Sequence, residues 1–127
     1  LTMKLISSKR APKAVGPYSH AAILGKTLCV SGQLPLDPKT MGLVSDDVMI
    51  QAKQCLRNGL AIVEDAGSSK ARIARVAVYL TDMDDFDRVN DVYETFFGGH
   101  KPARLCFAVA ALPMAAKVEI EFIADLS

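Results

Sequence analysis

Residues 102–124, PARLCFAVAALPMAAKVEIEFIA, hold two apolar runs that alternate with the period of a β-strand. In the first run Leu105, Phe107 and Val109 point one way, and Arg104, Cys106, Ala108 and Ala110 point the other. In the second, Val118, Ile120, Phe122 and Ala124 form the apolar side, opposite Lys117, Glu119, Glu121 and Ile123. If these strands are neighbours with their apolar sides on one core, Arg104, Cys106 and Glu119 share the other face. An arginine and a carboxylate placed together in this way point to a site for a small acid.

Upstream of this stretch the same periodicities set out the remaining elements. Met3 to Ser7 reads as a short strand, followed by a loop with Pro12, Gly16 and Pro17. Ser19–Leu24 and Thr27–Ser31 flank Gly25-Lys26 as a hairpin. Residues 32–45, with Pro35, Pro38 and Gly42, read as a long irregular loop, a kind of segment that is often functional. Ser45 or Asp46 can cap a helix running to about Ala66, with Val48, Ala52, Leu56, Leu60 and Val63 at helical spacing and Gly67 as its stop. Arg72–Thr81 is a strand, and Asp84–Phe97 a second helix with a core stripe of Phe86, Val89, Tyr93, Phe96 and Phe97, stopped by Gly98-Gly99. The order strands, helix, strand, helix, strand, strand predicts an α+β fold whose two helices cover one face of a mixed sheet. Val76, Val78 and Leu80 take one side of the middle strand, yet Ala77 and Tyr79 on the other are hardly a solvated surface. A bare apolar face of this kind predicts burial against identical subunits, with sites at their boundaries.

The 127 residues suit a single domain without a linker. Half are hydrophobic and only 6% aromatic, so the interior should be built from Val, Ile, Leu and Ala. A formal charge of +1, from 15 basic and 14 acidic residues, gives no general attraction to nucleic acid or membranes; the only basic cluster is Lys9, Arg10 and Lys13. No apolar run approaches the ~18 residues that cross a bilayer. Cys29, Cys55 and Cys106 show no paired spacing, which leads us to expect a reduced, cytoplasmic protein. With His20 and His100 as the only histidines, no metal site is expected, and no glycine loop has the spacing of a phosphate cradle.

Four groups of residues, in this order and spacing, resemble the RidA/YjgF family of enamine and imine deaminases. They are Gly16-Pro17-Tyr18-Ser19; Ser31-Gly32-Gln33-Leu34-Pro35; Val89-Asn90-Asp91-Val92-Tyr93; and Pro102-Ala103-Arg104 with Cys106, Val109, Leu112-Pro113 and Val118-Glu119-Ile120-Glu121. The resemblance implies a chorismate-mutase-like fold assembled as a homotrimer around a barrel-like centre, with clefts between subunits. It also implies hydrolysis of 2-iminoacids or enamines such as 2-aminoacrylate to 2-ketoacids and ammonia. No cofactor is needed, because the imine carbon is already electrophilic. Three features depart from the family pattern: His20 where many relatives have glutamine, an extra residue at Met41, and a short loop before Pro102 that lacks an aromatic residue.

The matching positions carry the family's roles residue by residue. Arg104 would grip the substrate carboxylate through its planar fork of donors, and Glu119 would hold and polarise the attacking water. At Cys106 the resemblance assigns substrate binding to the backbone, which leaves the thiol incidental. Tyr18, Ser31, Gly32 and Asn90 would line the cleft. Without the resemblance, Arg104 and Glu119 would read as a structural ion pair, and Tyr18, Ser31 and Asn90 as ordinary hydrogen-bonding or surface residues. Two other functions compete: an endoribonuclease or translation inhibitor, against which the balanced charge argues, and a non-catalytic trimer that binds small carboxylates or protects other proteins. Arginine and carboxylate together favour catalysis, since binding needs only the arginine.

Overall fold

The computed structural model describes residues 3–127. Its elements are β1 (Lys4–Ile6), β2 (Ala21–Leu24), β3 (Thr27–Gln33), α1 (Val48–Asp65), β4 (Ile73–Leu80), α2 (Phe86–Phe97), β5 (Ala103–Ala108) and β6 (Val118–Asp125). The strands make one mixed sheet in the order β1-β2-β3-β6-β4-β5, antiparallel throughout except for the parallel pair β4–β5. This is the expected α+β architecture, with both helices packed on the same sheet face.

Local chemistry explains where the elements begin and end. The β2–β3 hairpin turns at Gly25, whose φ of +62° is the left-handed backbone that glycine adopts without strain. Asp47 caps α1 by accepting a 2.8 Å bond from the Met49 N–H, one or two residues later than expected. Val48, Ala52, Leu56 and Val63 are buried as their spacing predicts, whereas Leu60 is only half-buried. Behind them, α1 closes on the sheet at Gly59, where a Cβ would lie 2.2 Å from the Phe122 ring. Phe122, Ile120, Val118, Val76, Val78 and Leu80 are all at most 1% exposed and form the centre of the core. Fully burying a side chain of this size contributes about 1.5–3 kcal/mol, so this layer dominates the stability.

One expectation fails. The strands containing Arg104 and Glu119 are not neighbours, because β4 lies between them. Register then separates the two residues: Arg104 and Cys106 pair with Val76 and Val78, which face the helices, while Glu119 pairs with Tyr79 on the other side. Arg104 and Glu119 therefore sit on opposite faces of one sheet. The cause is that β4, α2 and β5 form a crossover unit, and such a connection delivers β5 parallel to β4 at the sheet edge.

The bare face is as apolar as expected, and β5 adds to it. Leu105 and Phe107 point away from the helices, beside Ala77 and Tyr79, and the Phe107 ring meets Tyr79 edge-on at 5.4 Å. Farther along the same face lie Leu5, Ala22, Cys29 and Ile123, which are aligned by strand pairing. Phe107 is 47% exposed and Leu5 58%. Glu119, Glu121 and Arg75 lie between these two apolar patches, and a half-apolar face of this kind is the sort that subunit contacts use.

Candidate functional site

Arg104 projects from edge strand β5 across the flank of α2. Its Nη1 donates a 2.7 Å bond to Asn90 Oδ1, and its guanidinium carbon lies 4.8 Å from the centre of the Tyr93 ring and 5.6 Å from that of Phe86. A guanidinium over aromatic faces is attracted by their negative π-clouds while its remaining donors stay free. Val89-Asn90-Asp91-Val92-Tyr93 thus performs two tasks. Val89 anchors α2 in the core, and Asn90 and Tyr93, on its flank, set the arginine. A surface cavity of about 400 Å³ opens here, lined by Asn90, Tyr93, His100, Lys101 and Arg104 among others.

Glu119 lies on the opposite face, in the wall of a second cavity of about 500 Å³ that also includes Val15, Tyr18, Ser31, Gly32, Leu34 and Pro113. Pairing between β3 and β6 shifts register between Val30 and Gln33, which places Ser31-Gly32 in a bulge. The carboxylate lies over that bulge: a Cβ on Gly32 would be 2.1 Å from Glu119 Oε2. Only glycine leaves this space open. Ser31 Oγ donates to Ser19 O at 2.6 Å, and the Tyr18 hydroxyl accepts the Val15 N–H at 3.2 Å, so both hydroxyls shape the loop walls. Burial pushes the Glu119 carboxyl above the ordinary carboxylate range, and the nearby Glu121 pushes it further.

Among the described residues neither Arg104 nor Glu119 belongs to an ion pair; the pairs present are Arg10 with Glu64 and Asp65, Arg72 with Asp125, and Arg88 with Asp85. The reading of Arg104 and Glu119 as a structural ion pair is thereby excluded within one protomer. Cys106 is half-buried beside Arg104, and burial raises its thiol above its usual range, so it remains protonated at neutral pH. His20 is a buried support: its Nδ1 accepts the Ser8 N–H at 2.9 Å, so its Nε2 carries the proton and donates to Pro12 O at 2.7 Å.

Gln51 and Asn58 hold the loop between β3 and α1, and pattern reading passed over both. Asn58 Nδ2 donates to Leu34 O at 3.1 Å and Leu36 O at 3.0 Å; Gln51 donates to Ser45 O at 2.7 Å and accepts the Lys117 N–H at 2.8 Å. Both side chains are 1% exposed. The available signal was two amides seven residues apart on the apolar face of a helix. Polar groups there must find partners, and the loop beside Glu119 supplies them.

The family sequence model described as endoribonuclease L-PSP matches residues 8–126. The chain belongs to this family. It is 48% identical over 124 residues to the 2-iminobutanoate/2-iminopropanoate deaminase of Salmonella typhimurium, covering 95% of this chain and 96% of that one. The Mus musculus protein of the same name is 46% identical over 121 residues, covering 95% and 90%. Among solved structures, E. coli TdcF with bound serine superposes with a TM-score of 0.93 at 43% identity, covering 98% of this chain and 99% of that one. The E. coli YjgF gene product gives 0.93 at 44% identity with the same coverage. The resemblance to the RidA/YjgF family thus spans nearly the whole chain.

Proposed function

We propose that this protein hydrolyses 2-iminoacids, and the enamines that tautomerise to them, into 2-ketoacids and ammonia at clefts between the subunits of a homotrimer. The observation that carries this reading is the pair of complementary half-sites. Arg104 is preset by Asn90 and Tyr93 with no carboxylate partner, and Glu119 is half-buried with no cation, each beside its own cavity on opposite sheet faces. Such halves can join only across a subunit boundary, and the apolar bare face supplies the contact. The relatives named as deaminases, and the neighbour with bound serine, support a small 2-carboxylate as ligand.

In this reading Arg104 of one subunit grips the substrate carboxylate through two N–H donors. The carboxylate of Glu119 from the next subunit takes a proton from water as the oxygen bonds to the imine carbon. It passes that proton to the imine nitrogen to complete the carbinolamine, then carries the carbinolamine hydroxyl proton to the same nitrogen, so that C=O forms as the C–N bond breaks and ammonia leaves with the ketoacid. Tyr18, Ser31 and Gly32 wall the Glu119 side; Asn90 and the Cys106 backbone lie on the Arg104 side.

Co-expression of Arg104→Ala with Glu119→Gln tests this arrangement. Each homotrimer should be nearly inactive, whereas random mixing restores one intact boundary in about four, and so about a quarter of parental turnover. No recovery in verified mixed trimers would place both residues in one protomer's site or outside it, and a stable 13.7 kDa monomer in sedimentation equilibrium would remove the cleft.

A further inference from the structure

Beside Glu119 the bare sheet face carries a second carboxylate and a phenol that the proposed reaction does not use. Strand alternation puts Glu119 and Glu121 on the same side of β6, two residues apart, about 7 Å along the strand. Tyr79 on β4 is the direct cross-strand partner of Glu119, yet its hydroxyl donates to Glu121 Oε1. The ring is fixed by the edge-on contact with Phe107. The other titratable groups on this face are Lys117 just before β6, whose ammonium is drawn off to Asp46 O, Arg75 of β4, Cys29 of β3 and Asp125 at the end of β6, with Tyr18 at the cavity mouth; β5 offers only Ala103, Leu105 and Phe107. Arg75 stands nearer the Ile123 end of the strand, leaving Glu121 as the charge next to Glu119.

We propose that Tyr79 and Glu121 are positioning residues for Glu119: the phenol pins Glu121 as a fixed anion on its face, and that charge governs when Glu119 takes up a proton. The proposal rests on Glu119 being the water-activating group. Its physical logic is like-charge neighbourhood. An anion beside Glu119 penalises ionisation and makes the carboxylate a stronger base, while the Tyr79 hydrogen bond holds the Glu121 side chain in place on that face. Tyr79 suits the task because its bond to Glu121, with burial, pushes the phenol up to about 12, so it remains a donor at any working pH.

The test is carboxyl carbon NMR titration of the intact protein with labelled glutamate, beside the pH dependence of turnover. In Glu121→Gln the Glu119 midpoint should move to lower pH, and the acid limb of the rate profile should move with it. Tyr79→Phe keeps the ring contact but frees the Glu121 side chain from its place beside Glu119, so the Glu119 midpoint should move down by less than in Glu121→Gln. The double variant should behave like Glu121→Gln alone, because the phenol acts only through Glu121. An unmoved Glu119 titration in a correctly assembled Glu121→Gln variant overturns the proposal. If the NMR midpoint moves while the rate profile stays put, the coupling stands and the assignment of Glu119 as water-activating base fails.

Discussion

The two halves of the proposed site hold opposite charges by opposite means. Arg104 is held by groups that attract a cation: an amide oxygen at 2.7 Å and two aromatic faces. Around Glu119 every neighbour opposes it: partial burial, a second glutamate on the same face, and a glycine that provides space but no donor side chain. A gripping group gains from being fixed in its charged form before the ligand arrives, which lowers the ordering cost of binding. A proton-accepting group gains from an ionised form that is uncomfortable, since basicity follows from that discomfort. The difference is what supports the roles proposed for the two residues, more than residue type does.

The largest way to break this contrast is Glu119→Gln. The amide keeps the shape and cannot accept the proton, so turnover should fall by about 10²–10⁴-fold while short 2-ketoacids bind as well or slightly tighter, read by iminoacid assay and calorimetry. Gly32→Ala should come close behind. Its Cβ would collide with the Glu119 carboxylate, so turnover should drop steeply in a trimer whose ketoacid binding is largely retained.

Arg104→Ala should affect binding and turnover together. Losing a charge-assisted hydrogen bond costs about 1.5–3 kcal/mol, or roughly 10- to 150-fold in ketoacid affinity. Arg104→Lys should rescue poorly, because an ammonium lacks the planar fork. Equal loss of ketoacid binding in the Glu119 and Arg104 variants would erase the distinction between the halves.

A smaller effect concerns stability. Because the folded state raises the Glu119 carboxyl above its unfolded value, ionisation of Glu119 weakens the fold above the unfolded pKa, and the penalty disappears as pH falls below it. Glu119→Gln should therefore raise the melting temperature at neutral pH, with the advantage shrinking on acidification. The smallest expected change is in Cys106→Ala, which should keep most activity because its protonated thiol has no chemical part. Complete loss in a well-assembled Cys106→Ala variant would point to covalent catalysis.

Much of this was legible in the chain itself. Alternation in β6, helical spacing in α1 and α2, and the turn residues at Gly25, Gly67 and Gly98 are local signals, because each depends only on backbone geometry over a few residues. The family motifs pointed to Arg104, Glu119, Gly32 and Asn90 as candidates, and the fold sets each of them at one of the two cavities. What alternation cannot say is which of two faces meets the core. For β6 the answer was plain, because one side carries Glu119 and Glu121. In β5 both sides are mixed, and the side with Leu105 and Phe107 proved to be the one away from the helices.

Sequence by itself determined the elements, their caps and the chemical character of each strand face, since these follow from short-range sterics and hydrophobic period. Tertiary structure alone decided that β4 separates β5 from β6, that Arg104 and Glu119 lie on opposite faces, and that Tyr79 reaches past Glu119 to Glu121. Those facts depend on strand order and register between residues far apart in the chain. They are settled by how the helix layer and the crossover between β4 and β5 bury the most apolar surface together, a balance that no local pattern contains.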